Sequence, residues 1–193
     1  YLGLAAFTLF YRRLVGDRDG MEAGAGVSVI MRYTLRLLTV QQFQRAAALV
    51  CACEVIRRRE KRLGEEPYRI GLWVGDKTAP NKFLGAKKAI EDLKKQNYTS
   101  DGSPVQLLSC PRCGEALASD RGVPLGAAYT VDTEAQRIRV FCPNFRCEMS
   151  NKKSSGEGVP VVVVDEELYR TCPSVIIATV DKFARMPFEG RTQ

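Results

Sequence analysis

"VVVVDEELYR", Val161 to Arg170, sets four β-branched apolar residues directly before Asp165 and Glu166. Such a run, bounded by Pro160 and an acidic turn, reads as a strand. An acidic pair at a strand end is one way to hold Mg²⁺ and orient water, so the stretch raises the question of a catalytic centre. No other candidate catalytic group accompanies it in the neighbouring sequence. Asp165 and Glu166 are therefore read as capping the short "EELYR" turn, and the run as a strand returning from an inserted segment.

Outward from this stretch, strand-like and helix-like segments alternate. "PSVIIATVDKF" supplies a following strand, and "YRIGLWVG", Tyr68 to Gly75, an earlier one with Trp73 in the core. A further short strand is expected over Val27 to Met31. Leu2 to Leu14 reads as a helix with Arg12 and Arg13 near its end. A second helix is expected from an N-cap at Thr39, with Phe43, Ala46, Leu49, Val50, Cys53 and Ile56 on one stripe. The basic run Arg57 to Arg59 reads as a solvated cluster that complements the helix dipole. "APNKFLGAKKAIEDLKK" is a third helix, closing near Asn97. Strands alternating with helices define an α/β fold with a parallel sheet.

Between about 105 and 158 the pattern breaks into short cysteine-bearing segments. Cys110 and Cys113 form C-P-R-C-G, and Cys142 and Cys147 form C-P-N-F-R-C after 28 intervening residues. Two thiolate pairs complete a tetrahedral sulfur set, which in a chain with no histidine suits structural Zn²⁺. "AAYTVDTEAQRIRVF" between them reads as the hairpin of a zinc ribbon. A catalytic zinc would need an open position that four thiolates do not leave. A redox dithiol at Cys110 and Cys113 would need a thioredoxin-like context, which is lacking. Cys51 and Cys53 lie on different helix faces and read as core thiols, as does Cys172. The expected organisation is 1–104 and 159–193 as two parts of one lobe, with 105–158 as an inserted module.

The chain has 193 residues, 45% of them hydrophobic, enough for a sizeable core. Its 29 Lys and Arg against 22 Asp and Glu give a formal charge of +7, which favours polyanionic partners. Seven cysteines, an odd number, argue against a disulfide framework. "YLGLAAFTLF" is too short to span a membrane and has no cleavage signal, so a cytoplasmic location with no membrane partner is expected. The start at Tyr1 and the end at "EGRTQ" suggest a piece of a longer protein.

Several stretches together resemble the first motor domain of superfamily 2 helicases, and in their order the large phage-defence helicases of the DISARM type. The most specific are "RYTLRLLTVQQFQRA" and "ATVDKFA"; "RIGLWVGDKTAPNK", the four-cysteine insertion and "VVVVDEELYRTCPSVIIATVDKFARMPFEG" support them. The resemblance implies a partial RecA-like parallel sheet flanked by helices and carrying a zinc-ribbon-like β module. It places the strand-gripping motif Ia at Thr34 and Arg36, with Gln41 or Gln42 as the trailing glutamine, although Tyr33 stands where the family usually has proline. It places a close-approach glycine at Gly75, and motif Ib at Thr179 with Lys182 as a second contact. The partners implied are nucleic acid, DNA first, and other defence-system proteins. ATP and Mg²⁺ belong to the parent protein: the phosphate loop would precede Tyr1 and the metal-binding acids would follow Gln193, so this piece alone is expected to be inactive. A non-catalytic zinc-ribbon adaptor for nucleic acid or protein is the alternative.

Overall fold

The computed structural model describes residues 1–16, 25–34, 36–95 and 102–185, without the side chains of 36, 37 and 185. Helix α1 (Leu2–Gly16) precedes strand β1 (Val29–Tyr33) and the long helix α2 (Arg36–Arg59). Strand β2 (Ile70–Trp73) and helix α3 (Phe83–Lys94) follow, then the pair β3 (Tyr129–Asp132) and β4 (Arg137–Val140). The chain returns through β5 (Val161–Val162), α4 (Asp165–Thr171), β6 (Val175–Thr179) and α5 (Val180–Arg185).

Four strands form one sheet in the order β1-β6-β2-β5, with all three pairings parallel. Both faces are covered, which is why β2 and β6 read as unbroken apolar runs. Ile70, Leu72, Val175 and Ile177 face the cluster that includes Phe43, Ala46, Val50 and Leu9 from α2 and α1. Trp73, Ile176 and Ala178 face Leu168 of α4, with Tyr169 and Phe183 alongside. The α4 helix sits so close to β2 that a Cβ at Gly71 would lie 2.8 Å from Leu168 Cδ1. The expected α/β class is thus observed, and Trp73 is a core residue, 3% exposed and edge-on to Tyr169 and Phe183.

Residues 105–158 carry the antiparallel β3–β4 pair, with Tyr129 opposite Val140 and Asp132 opposite Arg137. This region is fastened to the parallel sheet rather than hung from it. An antiparallel bridge joins Val140 to Val159 just before β5. Gly158 makes that junction possible: at φ 74° a Cβ there would meet Val140 O at 2.2 Å. Buried Glu167 of α4 accepts from Arg137 Nε at 2.7 Å, while within the region Tyr129 Oη donates to Leu107 O at 2.8 Å. Lys94 Nζ at the end of α3 donates to Tyr129 O at 3.3 Å.

Helix α2 differs from its sequence reading at both ends. It starts at Arg36, and Thr39 is fully buried inside its first turns rather than capping it. At the other end Arg57 and Arg58 are not a solvated cluster. Both grip Glu54, a carboxylate with no exposed surface: Arg57 Nε and Nη2 at 2.8 Å each and Arg58 Nε at 3.0 Å. Tyr68 N–H donates to the same carboxylate at 3.0 Å. Arg57 also donates to Gly64 O at 2.7 Å and Arg58 to Glu148 O at 3.0 Å. The run thus ties α2 to the start of β2 and to the cysteine-bearing region.

Candidate functional site

The four cysteines of the insertion converge. Cys110, Cys113, Cys142 and Cys147 place their sulfurs within 4.8 Å of one another. The Cys110–Cys147 pair is 3.9 Å apart and the Cys113–Cys142 pair 3.5 Å. These separations exclude disulfides, which need about 2.05 Å. They fit the edge of a zinc–sulfur tetrahedron, about 3.8 Å for bonds of about 2.3 Å.

The local chain builds this set by one device used three times. The amide two residues after a cysteine is turned onto its sulfur. Glu115 donates to Cys113, Asn144 to Cys142 and Met149 to Cys147, the last at 3.4 Å. Gly114, at φ 80°, supplies the left-handed step that the first of these turns requires. Such amides stabilise sulfur that carries negative charge, and a neutral thiol would gain little from them.

Burial pushes Cys142 upward and takes Cys147 up to about 11, whereas Cys113 is lowered despite burial, through the Glu115 amide and the neighbouring thiols. Four thiols this close cannot all ionise on their own account. A divalent cation supplies the charge that deprotonates them together. The donor set is all sulfur and closed, so the arrangement suits a structural rather than a catalytic metal. Among the described residues it is the one group of three or more His, Cys, Asp or Glu with the geometry to hold an ion. Cys51 and Cys53 stay outside it as buried thiols, both raised by burial, Cys53 to about 11. Cys172 is exposed and left-handed at the end of α4, not the core thiol its apolar surroundings suggest.

The second group of sequence-derived residues lies at the carboxyl end of the parallel sheet. All four strands are parallel, so their carboxyl ends share one edge, with Tyr33 beside Thr179 and Trp73 beside Ala178. Thr34 is exposed immediately after β1, Gly75 follows β2 by two residues, and Thr179 ends β6. Arg36 opens α2 at the same edge, its side chain lying outside the described set. Gln41 is exposed and Gln42 half-buried in the second turn of that helix. Thr179 is 6% exposed, below the surface rather than on it. Lys182 is engaged internally: its Nζ contacts Asp165 Oδ2 and, at 3.3 Å, Asn81 Oδ1.

Those contacts also revise the acidic pair. The N-cap of α4 is Val164, one residue before the acidic pair, and it makes no side-chain cap bond. Glu166 Oε2 accepts from Phe83 N–H at 2.8 Å and so caps α3, while Asp165 pairs with Lys182. Sequence reasoning missed Glu54 and Glu148 as partners of the basic run. The spacing of Glu54 to Arg57 and Arg58, three and four residues, was the available signal.

A parallel α/β sheet with a four-cysteine cluster of the geometry to hold a metal ion is the class that this fold and site define. The chain is similar over its whole length to a protein named "DISARM protein DrmA" from Bacillus paralicheniformis (strain ATCC 9945a / NCIMB 11709 / CD-2), with 36% identity over 202 aligned residues. It spans 17% of the length of that relative. No family model matches the chain. No helix among the described residues is long and apolar enough to cross a membrane.

Proposed function

We propose that the chain is part of the first motor lobe of an ATP-dependent nucleic-acid translocase that serves phage defence, and that residues 105–158 are an inserted module closed by one structural Zn²⁺. In this reading the strand-holding surface is the carboxyl edge of the parallel sheet. The observation that carries it is the convergence there of Thr34, Gly75 and Thr179, residues from three separate sequence stretches that end adjacent strands or follow them closely. Similarity to a protein named for the DISARM system supports the defence role. ATP and Mg²⁺ would be handled by parts of the parent outside these residues, and the location would be cytoplasmic.

Thr34, with Arg36 at the start of α2, would bond phosphate oxygens of one strand without reading its bases. Gly75 would let backbone approach that strand closely, and Gln41 or Gln42 would lie behind the first contact. Lys182 could reach a phosphate only by giving up Asp165 and Asn81, so Thr34 and Arg36 are the primary contacts. ATP turnover in the intact protein would open and close two lobes while this edge keeps its grip.

In the full-length protein Thr34→Ala is expected to weaken single-strand binding by about tenfold, equally for all sequences, as loss of one hydrogen bond to a charged group implies. Arg36→Ala should in addition reduce the salt dependence by about one phosphate contact. Equilibrium titrations at several salt concentrations check both. Unchanged affinity and slope in the two variants would remove the edge from the strand path.

A further inference from the structure

The second metal knuckle, 142–147, carries a large apolar ring that does nothing for the core: Phe145 is 75% exposed. The backbone around the ring is held on both sides. Cys147 N–H donates to Asn144 O at 2.9 Å, Arg146 N–H donates to Asn144 Oδ1 at 2.9 Å, and the Asn144 amide is spent on Cys142 sulfur. The Arg146 guanidinium lies over the ring, 5.5 Å from its centroid. Lys153 Nζ donates to Arg146 O at 2.7 Å, which keeps a second cation beside the same turn. Between Cys142 and Ser155 there are three Lys and Arg and one acid, Glu148, and that acid already pairs with Arg112 and Arg59. These cations offset the net −2 that four thiolates around one Zn²⁺ would carry, and they lie at the rim of the exposed ring.

An exposed aromatic face with cations at its rim is matched by a flexible polyanion with planar groups: bases stack on the ring and phosphates meet the cations. A protein partner would more typically offer or require an apolar pocket, and the surroundings of Phe145 here are cationic. We propose that the Phe145–Arg146 knuckle is a single-stranded nucleic-acid contact, with Phe145 stacking on a base and Arg146 and Lys153 neutralising adjacent phosphates. It rests on the metal centre that braces the knuckle and is independent of the strand-holding sheet edge. The two surfaces lie far apart along α2. Arg36 opens that helix at the sheet edge, whereas Arg58 near its other end binds Glu148 of the knuckle region. Their separation along the axis is about 33 Å at about 1.5 Å per residue.

The test is fluorescence anisotropy of the zinc-loaded chain with a thymidine oligonucleotide long enough to reach both surfaces. Phe145→Ala is expected to raise Kd roughly 5- to 150-fold, the effect of losing one stacked base. Phe145→Trp should restore binding, and Arg146→Ala should lower the slope of log K against log salt by about one. Zinc content measured on each variant separates a lost contact from a lost fold. Wild-type affinity in Phe145→Ala together with a wild-type slope in Arg146→Ala overturns the proposal. So does a wild-type chain that ignores the oligonucleotide yet uses Phe145 to hold an acidic protein. A loss in Thr34→Ala with none in Phe145→Ala rejects the knuckle contact alone. The reverse result upholds it and rejects the sheet edge.

Discussion

Stripping zinc from the four-cysteine centre with a strong chelator is expected to unfold 105–158 while most of the parallel sheet persists. The inserted region owns two four-residue strands, and its buried apolar side chains belong to one cluster continuous with that of the main sheet rather than to a core of their own. A segment of that size does not reach independent stability without a staple. In zinc-finger peptides the metal contributes about 10–16 kcal/mol to folding at neutral pH, and the requirement here is smaller because Arg137 and Lys94 provide other anchors to the main sheet. Amide exchange is the suitable readout. Protection at Leu117, Phe141 and Cys142, whose amides bond within the region, should collapse on chelation. Protection at β6, which pairs on both sides inside the sheet, should fall far less. Unchanged exchange at Leu117 and Cys142 after the metal is removed would mean that the region folds without it.

Glu54→Ala is expected to be the most damaging single substitution in the parallel lobe, at about 3–5 kcal/mol. The carboxylate is wholly buried and accepts from Arg57, Arg58 and Tyr68 N–H. Removing it leaves two guanidinium groups, with side-chain exposures of 10% and 21%, beside a cavity and without their counter-charge. The loss should show as a lower midpoint in urea with an unchanged slope. Because Arg58 also holds Glu148 O, the same variant should loosen zinc, seen as faster metal transfer to a colorimetric chelator. A midpoint within about 1 kcal/mol of wild type would show that the three groups are satisfied by water instead.

What could be read in the residues, and what could not, divides along the distance of the interactions. The runs at 70–73 and 175–179 were legible as strands because a parallel sheet buried on both faces needs nothing from its neighbours except apolar side chains. The four-cysteine cluster was legible because C-x-x-C fixes two sulfurs within a single turn, and three of the four cysteines carry a stabilising amide two residues on. Residues whose partners lie far off misled. Glu166 resembles a local cap, yet its oxygen is taken by Phe83, 83 positions earlier. Asp165 resembles a metal ligand and is met instead by Lys182 after a strand crossing. Thr39 has the chemistry of an N-cap, but the helix begins earlier, at Arg36, and buries it. Cys172 adjoins apolar sequence, but the left-handed turn at φ 42° swings it outward.

The most direct test of the account is zinc K-edge X-ray absorption, with metal content, on the chain purified without chelator. One zinc per chain with four sulfur neighbours at about 2.3 Å is the result expected of Cys110, Cys113, Cys142 and Cys147. Zinc well below one per chain, or a shell containing oxygen or nitrogen, would contradict it.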